Sequence, residues 1–212
     1  AKTILITGCS SGIGHCAARG LQARGWRVFA TARQATDIEK LQGEGLESLL
    51  LDLRDSASIR QAALEVLERT GGRLDALFNN AGYGQPGAVE DVSRAALREQ
   101  FETNVFGTHE LTNRFIPGMR RQGGGRILYT SSVLGLVAFP YRGAYVASKF
   151  ALEGLADTLR LELAGTGIHV CLIEPGPILS RFRDNAHAAY GRHPPHETSP
   201  HRPQYAAMEA RL

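Results

Sequence analysis

Thr3-Ile4-Leu5-Ile6-Thr7-Gly8-Cys9-Ser10-Ser11-Gly12-Ile13-Gly14 runs a β-rich apolar stretch straight into a turn of glycine and serine. Behind it Ile13, Ala17, Ala18 and Leu21 recur at helical spacing, which predicts a helix over residues 12–24. A strand, a tight glycine turn and a helix in that order make an anion cradle. The glycines permit close backbone approach, and the first N–H groups of the helix, unpaired within it, point at the anion. The Gly-x3-Gly-x-Gly spacing in this setting points to the pyrophosphate of a dinucleotide, against the duller reading of a merely structural turn.

Working outward, apolar runs keep alternating with amphipathic ones. Residues 26–31, 49–51, 74–78, 125–130 and 168–173 read as further strands. Helical patterns fill residues 37–42, 56–69, about 93–121 and 143–164, with Pro117 expected to bend or end the third of these. Strands alternating with helices imply right-handed βαβ units and a parallel sheet covered on both faces. The expected fold is a single-domain α/β, doubly wound (Rossmann) sandwich, with its ligand at the carboxyl ends of the strands. Residues 1–177 hold this pattern. Residues 178–212 show no strand, and the stretch from Pro175 onward holds six of the nine prolines and four of the seven histidines, so this tail is expected to be an irregular lid over the site.

An NAD-preferring site of this type carries a carboxylate about twenty residues after the glycines, on the ribose 2′-hydroxyl. Here Thr31-Ala32-Arg33 occupies that place. A guanidinium binds a 2′-phosphate bidentately where a carboxylate repels it, so Arg33, with Ser10 as a second contact, points to NADP(H) over NAD(H). The alternative is a solvated surface arginine.

Tyr145 and Lys149 stand four residues apart in a helical pattern, hence on one face. An unperturbed phenol is about a thousandth ionised at pH 7, and a neighbouring cation is expected to make it more acidic. Such a phenol serves as base in alcohol oxidation and as acid in carbonyl reduction. Ser132, at the end of the fifth strand, is placed to donate to a substrate oxygen. Asn104, inside a helical stretch it does not favour, is expected to bend the helix and hold a water near Lys149.

Taken together, the glycine loop, Asp52, Asn79-Asn80-Ala81-Gly82, Asn104, Ser132, Tyr145-x3-Lys149 and Pro175-Gly176 resemble the short-chain dehydrogenase/reductase family from about Lys2 to Pro177. The version here is most similar to the branch of retinol- and 17β-hydroxysteroid-type dehydrogenases and their bacterial relatives. The resemblance implies an NADP-dependent oxidoreductase with Tyr145 as acid/base, Lys149 as its modulator and ribose ligand, Ser132 as substrate-oxygen donor and Asn104 as water holder. It further implies cofactor contacts from Gly8, Ser10, Ser11, Gly12, Ile13 and Gly14. Asp52 with Leu53 would meet the adenine, Asn79, Ala81 and Gly82 the adenosine ribose, and Pro175 and Gly176 the nicotinamide. Family members assemble as homodimers or homotetramers through the two long helices. They also continue past the lid to a further strand and helix, and no such strand is recognisable in these 212 residues.

The chain has a formal charge of +3 with no basic run, which suggests neither a nucleic-acid nor a membrane-surface footprint. Three cysteines without C-x-x-C spacing fit free thiols in a reducing compartment. With no signal-peptide pattern and no span-length apolar run, the expected setting is cytoplasmic. Tail histidines 187, 193, 196 and 201 are irregularly spaced and read as solvated residues, so no metal is expected. Cys9 reads as a small filler. Leu134, Leu136, Val137, Phe139 and Tyr141, with Tyr83, either wall an apolar substrate (steroid-, retinoid- or lipid-like) or simply pack. Two alternatives stay open: a 3-oxoacyl or other carbonyl reductase, and a non-catalytic NADP(H)-binding sensor.

Overall fold

The computed structural model describes residues 1–209. Positions 210–212, the end of the expected lid, lie outside the described residues. Six parallel strands, β1 (Thr3–Ile6), β2 (Arg27–Ala32), β3 (Glu47–Leu50), β4 (Ala76–Asn79), β5 (Gly125–Thr130) and β6 (Ile168–Ile173), form one sheet in the order β3-β2-β1-β4-β5-β6. The chain winds outward from β1 to β3, then returns to the other side of β1 and winds to β6. The reversal between β1 and β4 leaves a crevice at the carboxyl ends of these two strands, where ligands of such sheets bind.

Crossover helices cover both faces, so the central strands are apolar on both sides. One core layer packs Leu5, Phe29, Leu77 and Ile127 against α3 (Ser56–Arg69), α5 (Thr108–Arg121) and α6 (Gly143–Glu162) through Val66, Phe115 and Leu152. The opposite layer sets Ile4, Ile6, Val28 and Phe78 against α1 (Gly12–Gln22) and α2 (Ala35–Gly43) through Ala18 and Leu41. Asp55 starts α3 by accepting from the Ala57 amide at 2.9 Å, satisfying one of the donors a helix start leaves open.

The structure departs from the sequence reading in two places. The single helix expected over 93–121 is three stretches: α4 (Arg94–Phe101), a π-helical segment Glu102–Gly107, and α5, which continues through Pro117 to Arg121. The tail is largely helical, not irregular: α7 (Phe182–Arg192) and α8 (Arg202–Glu209). It folds back on the body, where the buried Tyr205 hydroxyl donates to Asp91 at 2.6 Å and accepts from the Ala88 amide at 2.8 Å.

Candidate active site

The crevice is a cleft of about 1030 Å³. At one end lies the turn between β1 and α1. Gly8 adopts φ +71°, a conformation that L side chains rarely take. A Cβ on Gly14 would lie 2.5 Å from the Asn80 amide nitrogen and overlap the Gly8 carbonyl, so only glycine lets α1 pack this closely. Thr7 ties the turn to β4, its hydroxyl accepting from the Asn80 and Ala81 amides, each at 2.9 Å. The Ser11 N-cap then leaves the first N–H groups of α1 at the cleft. Cys9 is fully buried, and burial pushes its thiol up to about 12, as suits a filler.

Most of the expected cofactor residues meet here. Gly8, Ser10, Ser11, Ile13, Arg33, Asp52, Leu53, Ala81, Gly82, Pro175 and Gly176 all line the cleft. Gly12 and Gly14 shape it through the backbone. Arg33 is exposed near Asp52, whose carboxylate is held below its usual range mainly by the Arg54 guanidinium at 2.8 Å, with Arg33 adding to the pull. The Asp52 carboxylate is thus already engaged by a cation.

Asn79 does not line the cleft. Side chains alternate along β4, and this one turns inward, its amide donating to the Thr112 hydroxyl on α5 at 2.9 Å. Its neighbour Asn80 reaches the cleft instead, donating to the Thr7 and Gly8 carbonyls and accepting from Thr130.

At the other end of the cleft stand Ser132, Tyr145 and Lys149, exposed by only 7%, 8% and 4%. Lys149 donates to the Thr130 carbonyl at 2.7 Å, and its ammonium lies 5.5 Å from the Tyr145 ring centre. Burial dominates the surroundings of both groups. Burial raises the Tyr145 phenol above its ordinary value, and a hydrogen bond with Ser132 draws it partly back. Burial also brings Lys149 itself down from 10.5 to about 8, against an opposing pull from Glu153 one turn on.

Asn104 sits in the π-helical segment, consistent with the expected local bend, and lies buried directly behind the cleft residues Gly82 and Tyr83. It accepts from the Tyr83 amide at 3.2 Å and donates to the Tyr83 carbonyl and the Ser148 hydroxyl, both at 3.0 Å. Those bonds pin the loop after β4 to α6, and a Cβ on the intervening Gly82 would fall 3.2 Å from the Asn104 oxygen and 3.7 Å from the Lys149 nitrogen.

Sequence reasoning missed Phe182. Its ring meets Tyr145 edge-on at 5.4 Å between centres and so brings the tail over the phenol. The signal was available, because Phe182, Ala186 and Tyr190 recur at i, i+4, i+8. A second cavity of about 490 Å³ opens beyond Tyr145, lined by Leu134, Phe139, Tyr141, Phe182 and Tyr190 among others. Of the expected apolar wall, Leu134, Phe139 and Tyr141 line this cavity, and Val137 and Tyr83 line the larger cleft. Leu136 lines neither and is exposed. His193 pairs with Glu99 at 2.7 Å and His201 with Glu90 at 2.6 Å. Among the described residues no three histidines, cysteines or carboxylates cluster as metal ligands.

The family model for short chain dehydrogenases matches residues 2–191. This chain belongs to that family. The short-chain dehydrogenase relatives include the uncharacterized oxidoreductase YbbO of Escherichia coli, 50% identical over 184 residues covering 87% of this chain and 68% of that protein. Human 17-beta-hydroxysteroid dehydrogenase type 1 is 41% identical over 197 residues, covering 85% of this chain and 58% of its own length. A short-chain dehydrogenase/reductase from Burkholderia phymatum, solved in complex with NAD, superposes with a TM-score of 0.85 at 30% identity, covering 99% of this chain and 77% of that one. The chain therefore spans about three fifths to two thirds of the length of these two sequence relatives.

Proposed function

We propose that this short-chain dehydrogenase is an NADP(H)-dependent enzyme of the cytoplasm that interconverts a carbonyl and an alcohol on an apolar substrate, steroid-, retinoid- or lipid-like. The observation that carries the reading is the position of Tyr145, which lines both the dinucleotide-sized cleft and the smaller apolar cavity. A glycine cradle that admits no Cβ, an open helix N-terminus and Arg33 suit the residues to NADP(H). Arg33 would take the 2′-phosphate, the α1 turn the pyrophosphate and Lys149 the nicotinamide ribose. Bound nicotinamide supplies or accepts the hydride.

The remaining chemistry belongs to the chain. A phenol raised by burial stays protonated at neutral pH, which fits Tyr145 to give its proton to the developing alkoxide during carbonyl reduction. Ser132 holds the substrate oxygen beside it, and Phe182 shields the pair from water. Among the described residues no helix is long and apolar enough to cross a membrane. Exposed Phe106 beside α5 and exposed Phe150 and Leu155 on α6 support a homodimer or homotetramer formed through these helices.

The test is consumption of NADPH and NADH with retinal, steroid ketones, 3-oxoacyl thioesters and simple aldehydes, repeated with Arg33→Ala. The reading expects NADPH to be preferred and the variant to lose that preference, its KM for NADPH rising about ten- to hundredfold, the range of a charge-assisted contact. A wild-type preference for NADH, or no carbonyl reduced at all, would sink it.

A further inference from the structure

We propose that the smaller cavity selects substrates carrying an anionic group, a carboxylate held by Arg142 and Arg183 at one end of an otherwise apolar carbonyl compound. The inference deepens the proposed function and rests on it, since it places the carbonyl at Tyr145.

Among the described residues the cavity wall is aromatic and aliphatic except for Arg142, Arg183 and His187, with no aspartate or glutamate. At about 490 Å³ it is the size of a small-molecule site, and such sites are mostly apolar with a few polar groups that fix orientation. Here every polar group with a full charge is a cation. Arg142 is half-buried and comes from the start of α6, three residues before Tyr145. Arg183 comes from α7, on the face that also presents Ala186, His187 and Tyr190.

Two arginines near the cleft have carboxylate partners: Arg54 pairs with Asp52 at 2.8 Å and Arg192 with Glu99 at 2.9 Å. Arg142 has a 3.2 Å bond to the Tyr141 carbonyl, and among the described residues neither it nor Arg183 lies within ion-pair distance of a carboxylate. The two guanidiniums feel one another: burial, then the charge of Arg183, pulls Arg142 below its ordinary value. Arg142 is also the N-cap residue of a twenty-residue helix, makes no side-chain capping bond, and adds a cation where the helix dipole is already positive. Two like charges brought together on an apolar wall cost stability, and a bound carboxylate relieves that cost with paired, charge-assisted hydrogen bonds.

Calorimetric titration of the NADP⁺-loaded protein with octanoate and with uncharged octanamide tests the pocket without requiring turnover. Octanoate is expected to bind at least about tenfold more tightly, the lower range for a hydrogen bond to a charged group. Arg142→Gln combined with Arg183→Gln should bring the two affinities within about twofold. The exposed Arg183→Gln change alone, which leaves the buried start of α6 intact, should reduce the preference. Equal binding by the parent, or a preference that survives in the double variant, overturns the inference. So does a double variant that loses NADP⁺ affinity yet still distinguishes acid from amide, since that assigns the arginines to the cofactor. The rate ratio for ω-oxo acids against their methyl esters separates this idea from the one beneath it. Esters reduced as well as acids leave the oxidoreductase reading standing and remove the anion pocket. Octanoate preference without reduction of any carbonyl keeps the pocket and removes hydride transfer.

Discussion

Lys149 is buried to 4% exposure with its nitrogen on the Thr130 carbonyl, and the consequence is a measurable pH dependence of stability. Its ammonium titrates at about 8 in the folded protein against an ordinary 10.5. At ~1.4 kcal/mol per pH unit, the difference corresponds to about 3 kcal/mol. The sign follows from which state holds the proton. Between pH 8 and 10.5 the unfolded chain keeps it and the folded chain does not, so this residue makes stability rise with pH across that window. Below about 8 the folded protein carries the full cost of a buried charge. Urea midpoints of wild type and Lys149→Met at pH 7.5 and 9.5 isolate the contribution. The stability of wild type relative to the variant should rise by roughly 2 kcal/mol between the two pH values. The chain has only three lysines, so ¹³C labelling of lysine Cε gives a direct reading of each. A Lys149 midpoint at 10.5 or above, with no pH-dependent difference between the proteins, would refute the reasoning.

Other changes have expected outcomes of different kinds. Ser132→Ala removes the hydroxyl bonded to the phenol and the proposed oxygen donor, and kcat should fall about 10²–10³-fold in steady-state assays. Because burial raises the Tyr145 pKa, reduction should hold steady through neutral pH while alcohol oxidation climbs toward alkaline pH, as rate profiles in both directions will report. Phe115→Ala empties a position 1% exposed between α5 and the sheet and should cost about 3–5 kcal/mol by denaturant unfolding.

The sheet was legible because its signals are local. Each strand is a short apolar run ending at a turn, and the expected ranges 56–69, 125–130 and 168–173 match α3, β5 and β6 at both ends. The π-helical segment was not legible in the same way. Asn104 within it bonds the Tyr83 backbone, a contact 21 residues away that no periodicity encodes. The helices of the tail are not legible from proline content, because what a proline does depends on its position. Pro203 is the second residue of α8, in the first turn, where a missing N–H costs nothing, and Pro194, Pro195 and Pro200 fall in the connection before it. The site residues emerged from motif order, yet which asparagine of the pair faces the cleft did not, because one step along a strand turns a side chain to the other face. The burial of Tyr145 and Lys149, which raises the one and lowers the other, is a property of packing that composition cannot supply.

Tyr145→Phe keeps the ring against Phe182 and deletes only the hydroxyl. Turnover of a carbonyl substrate by this variant, measured beside its NADPH dissociation constant, tests the central claim most directly. The account predicts loss of essentially all turnover with cofactor binding retained. A variant that reduces the same substrate at the parent's rate would contradict it.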